Sequence, residues 1–379
     1  MIKVCFVRGK YLNNFEGQNY VFKNVKFSAV SSLFPLNKEF PFPVIKLPSL
    51  ADLPGRVIKY LGNRILGDSQ ILLRLESMTD KFDIFQTADP HYYYSYQLAK
   101  LRKKSLIKNL IVTSWETIPF NNVSVRRKKE IKYFTLSQAD FFICYTEKAK
   151  KVLIKEGVNP KKIKVIKLGI DIDKFKPNND KITRSRNFVN EDLLTILFVG
   201  RLVEEKGIMD LYEAFKNIKS KPASWRIKLK IIGDGSLKLK IQSLIEADGL
   251  ENLVSIEKKD YREMPEVYRE ADILVLPSKK TNTWEEQYGM VLVEAMASGL
   301  PIIAYNIGAI PEVVDNAGIL IMDGNVKNLT VSLKKLLASE DLRRKLGKIG
   351  RERAEKYFDA NRTAIQIKKL YKKVFDYKS

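Results

Sequence analysis

The sequence predicts a parallel α/β protein built as two doubly wound domains. Strand and helix signals alternate through most of the 379 residues. The strand segments are nearly unbroken apolar runs, as strands covered on both faces require; IKVCFVR (2–8), LLTILFVG (193–200) and DILVLPS (272–278) are examples. One polar stretch, PNNDKITRSRNFVNED (177–192), lacks apolar periodicity and reads as the linker between the domains. A hydrophobic content of 45% is enough for two full cores.

In the first domain, residues 1–180, strands are expected at 2–8, 82–87, 109–115, 140–146 and 162–169, and helices at 55–66, 92–104, 124–138 and 146–156. Residues 11–48, rich in Asn, Phe and Pro, suggest one strand and a long loop. In the second domain, residues 186–358, strands are expected at 193–200, 228–233, 254–258, 272–278, 300–305 and 317–321. Helices fit between them at 207–219, 236–247, 264–271, 288–298 and 327–338. Such domains hold ligands at the carboxyl ends of their strands.

Composition removes several classes of function. No apolar run approaches the ~18 residues of a membrane span, and MIKVCFVRG has neither the length nor the cleavage site of a signal peptide. A cytoplasmic protein is expected. Cys5 and Cys144 lie inside apolar runs and read as buried free thiols, and a single histidine argues against metal-cluster catalysis, so no metal site is expected. The net charge of +23 is uneven: residues 1–180 hold 32 Lys+Arg against 16 Asp+Glu, the rest 35 against 28. The densest segments are LAKLRKKSLIKN (98–109) and VRRKKEIK (125–132). Basic segments of this kind suit an anionic lipid surface at the inner face of the cell membrane, the solvated surface of a Lys-rich protein, or nucleic acid.

The most informative segment is WEEQYGMVLVEAMASGLPIIAYNIGAIPEV, which begins at Trp284. Glu286 precedes a helix expected to start near Tyr288 and Gly289, and Glu294 lies inside it, about 7 Å along the axis at ~1.5 Å per residue. Gly289 lets a ligand approach the first-turn N–H groups, where the helix dipole favours an anion. Carboxylates for hydroxyls and N–H groups for phosphate suit a nucleotide sugar; the plain alternative is an acidic cap on an ordinary helix. In FVGRLVEEKG (198–207), Arg201 and Lys206 project from the end of a strand that stops at Gly200. Fixed cations there would stabilise a leaving diphosphate, whose charge grows as its bond breaks. The alternative is a set of salt bridges to Glu204 and Glu205.

With its E-x7-E spacing and the following EAMASGLP and GAIPEV, this chain resembles the retaining GT-B glycosyltransferases of family 4, also called glycosyl transferases group 1. The resemblance implies a GT-B fold, two Rossmann-like domains facing each other across a cleft, with a last helix near 361–377 crossing back to the first domain. It places Glu294 on the nucleotide ribose, Glu286 on the transferred sugar, backbone N–H groups from Tyr288 to Val291, Met290 included, on the sugar and diphosphate, and Arg201 and Lys206 on the diphosphate. IIGDGSL resembles the family's G-x-G turn, with Gly233 shaping the nucleotide pocket or serving the turn alone. EKKDYRE puts Lys259 and Tyr261 beside the base, and Glu312 of GAIPEVV is either a sugar contact or part of the turn.

The first half departs from the family pattern. GKYLNNFEGQNY (9–20) offers only Gly9 and Gly17 where relatives carry paired glycines, and after NLIVTS many relatives have a histidine where this chain has Trp115 and Glu116. Trp115 and Glu116 are acceptor-side candidates, Glu116 as a catalytic carboxylate, or else a capped strand end. His91 is a third, or a polar cap. Tyr92, Tyr93, Tyr94 and Tyr96 either pack between helix and sheet or stack on sugar or lipid.

The expected activity is therefore a hexosyltransferase-type reaction: a sugar moves from a UDP- or GDP-linked donor to an acceptor hydroxyl of a surface glycan or a lipid-linked glycan, with no cofactor and no divalent metal. A sugar-nucleotide epimerase or glycan phosphorylase on the same fold is the rival among enzymes. A basic nucleic-acid-binding protein is the rival from another class.

Overall fold

The computed structural model describes residues 1–37, 39–54, 62, 64, 66–123, 125–178, 193–219 and 225–376. The helix expected at 55–66 and most of the linker expected at 177–192 lie outside these. The chain divides into two compact units: Met1–Gly169 with Ala360–Ser379, and Ile170–Asp359. The division falls at Gly169, earlier in the chain than the expected boundary at 180.

The first unit holds seven strands: β1 (Ile2–Gly9), β2 (Val25–Ser31), β3 (Val44–Lys46), β4 (Ile84–Ala88), β5 (Leu110–Ser114), β6 (Phe141–Cys144) and β7 (Ile163–Val165). They pair in the order β3-β2-β1-β4-β5-β6-β7, every pair parallel. The central strands are buried throughout, which is why they are continuous apolar runs. The region between residues 11 and 48 holds two strands rather than one: β2 carries Ser and Lys among its apolar residues, and β3 is three half-exposed residues at the sheet edge. Cys5 and Cys144 are buried free thiols.

The helix Ala360–Asp376 completes this unit. Its buried residues Ala360, Thr363, Ala364, Ile367, Leu370, Tyr371 and Val374 repeat at three- and four-residue intervals, one stripe of an amphipathic helix. Tyr371 donates its hydroxyl hydrogen to Gln86 Oε1 in the middle of β4, and Thr363 Oγ1 donates to the Lys167 carbonyl at 2.8 Å. Gln86 passes the network on, donating from Nε2 to Tyr20 Oη and Thr113 Oγ1, each at 2.9 Å.

The second unit holds β8 (Leu194–Val199), β9 (Ile227–Ile232), β10 (Val254–Glu257), β11 (Ile273–Leu276), β12 (Ile302–Tyr305) and β13 (Gly318–Ile321), ordered β10-β9-β8-β11-β12-β13 and again parallel. Strand order reverses between β8 and β11 here and between β1 and β4 in the first unit, so each sheet has a switch point that opens a crevice at its carboxyl edge. The sequence reading lacks one helix, Glu340–Tyr357. Its buried positions are Leu346, Gly347, Gly350 and Ala354; Gly347 lies against the Gly299 carbonyl and Gly350 against Met296, so the helix packs closely on Met290–Ala297 and the turn after it. Arg351 fastens it, donating from Nη1 to the carbonyls of Ile172, Phe175 and Ala297 at 3.1, 2.8 and 2.7 Å. No helix among the described residues is long and apolar enough to cross a membrane.

Tyr371→Phe keeps the shape of the helix face but leaves the Gln86 carbonyl buried without its donor. A loss of about 1–3 kcal/mol is expected, read as a lower urea midpoint. An unchanged midpoint would show that this hydroxyl does not hold the helix in place.

Candidate active site

Two loops leave the switch point of the second unit side by side. The first follows β8. Gly200 donates its N–H to Ile232 O at 3.0 Å and Leu202 donates to Asp234 O at 2.9 Å, so the GDG turn lies backbone to backbone against it. A Cβ on Gly233 would fall 1.9 Å from Gly200 O. Gly233 is thus a close-approach residue of that contact. Beyond buried Leu202 the loop makes one turn of 3-10 helix, Glu204–Lys206, and stops at Gly207 with φ +67°. There the absent side chain admits Pro277 O from the second loop, since a Cβ would lie 1.8 Å from that oxygen.

The second loop follows β11 and carries Ser278, Trp284 and Glu286. It is tied to the first by Lys279, which donates its N–H to Glu205 O at 2.8 Å and pairs its ammonium with buried Asp210. Asp210 also accepts from the Tyr305 hydroxyl at 2.8 Å. The result is that Lys206 and Glu286, eighty residues apart, meet with Nζ 2.6 Å from Oε2. Ser278 Oγ donates to the same carboxylate oxygen at 3.0 Å, and the Lys206 ammonium lies 4.8 Å from the centre of the Trp284 ring. The backbone of Glu286 is held by the GAIPEV turn: Ala309 donates to Glu286 O at 2.8 Å, and a Cβ on Gly308 would come within 2.1 Å of that oxygen. That turn supports Glu286 through backbone, with Glu312 in the following short helix, Ile310–Val314.

Gly289, at φ +78°, caps the helix Met290–Ala297, and Tyr288 is buried beside it. Met290 and Val291 open the first turn, whose N–H groups point out of the helix end. One turn deeper, Glu294 is buried and accepts from the Tyr268 hydroxyl at 2.6 Å. Burial pushes its carboxyl up to about 7, against the lowering effect of the hydrogen bonds from Tyr268 and Tyr261. Tyr261 belongs to the segment after β10, so the stretch expected beside the base and the carboxylate expected on the ribose converge in the fold. Lys259, in the same segment, stands 3.4 Å from both Glu257 and Glu263. Arg201 is largely exposed and pairs with Glu205 at 3.1 Å, the salt bridge weighed above as its plain alternative.

The first unit places His91, Trp115 and Glu116 at the carboxyl ends of β4 and β5. Glu116 is turned into its own loop: Oε1 accepts from the N–H groups of Thr117 and Ile118 at 3.1 and 3.0 Å, and Oε2 from Asn122 Nδ2 at 2.9 Å. Trp115 is buried edge-on against Tyr145, with ring centres 4.3 Å apart. His91 sits 4.4 Å from the Tyr92 ring; burial, then the charges of Lys132, Lys128 and Arg8, push its imidazole down to about 3, so it is neutral at physiological pH. Of the tyrosines, Tyr94 is fully buried and bonds to Ala88 O, while Tyr96 packs on Phe134.

Three residues absent from the sequence reading join this edge. Arg8, at the end of β1, is buried and donates to Glu16 at 2.8 Å, and Asp89, one residue past β4, accepts from the Trp115 N–H at 2.9 Å. Burial raises Asp89 to about 6, opposed by the Arg8 cation and the Trp115 N–H. Asp89 was legible as a polar residue at a strand end beside the switch point. The Arg8–Glu16 pair depends on chain geometry that no spacing discloses.

Comparison with known proteins adds independent findings. The model of the glycosyl transferases group 1 matches residues 179–353, and that of glycosyltransferase family 4 matches residues 35–174. An uncharacterized glycosyltransferase of Methanocaldococcus jannaschii is 32% identical over 182 residues, 48% of each chain. The capsular polysaccharide biosynthesis glycosyltransferase CapM of Staphylococcus aureus is 32% identical over 210 residues, 54% of this chain and 52% of that protein. The chain thus spans about half the length of these two relatives. In structure, HepE of Anabaena, solved in complex with UDP, superposes with a TM-score of 0.76 at 16% identity, covering 98% of this chain and 100% of HepE. One family model lies on each unit, and the fold is shared over nearly the whole length: the chain joins a unit of glycosyltransferase family 4 to a unit of the glycosyl transferases group 1, with the GT-B fold.

Proposed function

We propose that the protein is a retaining glycosyltransferase that moves a hexosyl group from a nucleoside diphosphate sugar to an acceptor hydroxyl. The observation that carries this is the meeting of Lys206 with Glu286 at 2.6 Å, beside a helix that opens at Gly289. A lone surface pair contributes little. This one is largely buried, fixed from both sides, and set where a diphosphate and a sugar would each find a partner.

In the reaction, Lys206 exchanges part of its contact with Glu286 for the diphosphate, Arg201 turns from Glu205 to the same group, and the N–H groups after Gly289 complete the anion site. Glu286 and Ser278 then meet sugar hydroxyls. The glycosidic C–O bond to phosphate breaks as the acceptor oxygen bonds the anomeric carbon from the same face, and the departing phosphate oxygen takes the acceptor proton. Positive charge at the leaving group comes from these two side chains, so no divalent cation is assigned a role. Glu294 accepts from ribose hydroxyls, with Tyr261 and Lys259 beside the base. A uridine nucleotide is the favoured donor, supported by the UDP bound in HepE.

The acceptor is proposed to be a glycan presented at an anionic membrane face, met by the first unit. The second basic segment lies on the helix Arg126–Gln138 and the first starts on Tyr93–Lys103 and runs past its end, with Lys104 and Lys108 beyond it; the two helices pack side by side. Lys100 and Arg127 lie over the Tyr96 ring, 4.9 and 5.4 Å from its centre, and Lys103 lies 5.6 Å from that of Phe134. Arg102 is held by two hydrogen bonds to Asp140, at 2.8 and 3.0 Å, and serves the fold instead.

Lys206→Ala is expected to lower turnover by roughly 10²–10³, the loss of one preorganised charge-stabilising group, with folding intact. Near-normal turnover at saturating donor would remove the diphosphate assignment. Glu286→Gln should slow transfer while UDP affinity, measured by calorimetry, stays close to that of the parent; Glu294→Gln should weaken UDP itself. Equal losses of UDP affinity would merge the two roles.

Because burial holds Glu294 near 7, ribose binding needs a proton to leave. UDP affinity should fall as pH drops below about 7 and level off above it. Without ligand the sign is opposite: the raised carboxyl favours the fold at acid pH, and that contribution fades as pH rises through about 7. Glu294→Gln should flatten the binding profile, and an unchanged profile in that variant would assign the titration elsewhere.

A further inference from the structure

We infer that the loop between β5 and the helix Arg126–Gln138, led by the ring of Phe120, is a wedge that inserts into an anionic lipid bilayer. This rests on the reading that the acceptor is met at a membrane face, and it names the contact.

Phe120 has φ +61° and Asn122 has φ +59°. Asparagine tolerates that left-handed conformation, whereas a bulky aromatic residue adopts it only under constraint. The strain is not recovered by burial, since Phe120 is 54% exposed. Nor is the loop slack. Phe120 donates its N–H to Glu156 Oε1 at 2.7 Å, and the Lys132 ammonium bonds both Glu156, at 2.6 Å, and the Asn121 carbonyl, at 3.0 Å. Both charged side chains of that pair are almost completely buried. From the other side Glu116 grips the N–H groups of Thr117 and Ile118 and the amide of Asn122. Every one of these bonds would survive with glycine at position 120. The benzyl group therefore adds strain and exposed apolar surface that the fold does not use, which points to a partner outside the chain.

The surroundings fix the chemistry of that partner. Val125 is a second exposed apolar residue, and Arg126, Arg127, Lys128 and Lys129 follow in one run, with Arg126 and Arg127 sharing Glu130 at 3.1 and 3.0 Å so that the segment keeps a net positive charge. Arg126 has a side chain 94% exposed. An aromatic tip followed in the chain by a cationic run matches the interface of an anionic bilayer, where the ring enters the acyl boundary and the cations stay with the headgroups.

Since Cys5 and Cys144 are both buried, a Phe120→Cys variant carries a single exposed thiol that an environment-sensitive fluorophore can label. With vesicles of equal parts phosphatidylglycerol and phosphatidylcholine at low salt, emission should shift to the blue and be quenched by brominated lipid. Pure phosphatidylcholine should give no shift, nor should the same label at Leu239→Cys, an exposed position of the second unit. Phe120→Gly should unfold at the same or a higher temperature than the parent, because glycine removes the strain, yet partition about tenfold less onto the anionic vesicles. Undiminished partition of Phe120→Gly, or a label that stays in water while the protein floats, would overturn the wedge alone. A parent protein that does not float with anionic vesicles would overturn both the wedge and the membrane-facing acceptor. Either result leaves the donor chemistry to be judged by Lys206→Ala.

Discussion

Two places where one strand-end loop rests its carbonyl on the α-carbon of another hold the loops at the carboxyl edge of the second sheet in register. Pro277 O sits against Gly207, and Glu286 O against Gly308. Both glycines have positive φ, so any other residue there would meet a steric and a conformational barrier at once. These contacts bring the main chains so close that Lys206 and Glu286 have little choice but to meet. The Asp210 carboxylate, shared between Lys279 and Tyr305, then fastens the pair of loops from beneath. The side chains of Lys206 and Glu286 are thus placed by backbone.

The first unit follows a different rule. Its carboxyl edge is held by buried charge: Arg8 with Glu16, Lys132 with Glu156, and Glu116 with its own loop. Removing one member of such a pair strands the other in a poor solvent for ions, so these positions resist substitution even where they touch no ligand. Glu116 shows the consequence for function. Its carboxylate is committed to three local donors, and it shapes the loop that carries Phe120 rather than presenting free oxygens.

How much of this was legible in the sequence follows from the range of each interaction. The central strands were readable because burial on both faces demands unbroken apolar runs, and the helix start at Gly289 with Glu286 before it and Glu294 inside it because glycines and carboxylates stand there at fixed spacing. The strands β2 and β3 were blurred by an edge position and mixed polarity. The helix Glu340–Tyr357 was missed because, beside Leu346, its buried positions are glycine and alanine, which leave a weak trace in a hydrophobic pattern. Partners eight to eighty residues apart, such as Arg8 with Glu16 or Lys279 with Asp210, are set by topology and surface only once the chain is folded.

The return of the helix Ala360–Asp376 to the first sheet makes the second unit an insertion within the first. The chain leaves at Gly169 and comes back at Ala360, and the two passages are bridged where Ile170 donates its N–H to Phe358 O at 2.8 Å. During synthesis the second unit has emerged in full before the residue that closes the Gln86 network, Tyr371, leaves the ribosome. The first seven strands must therefore wait with an uncovered apolar face through the making of almost two hundred residues. That interval exposes the chain to aggregation or to a chaperone, and its length is set by the order of segments along the chain rather than by the stability of the finished fold.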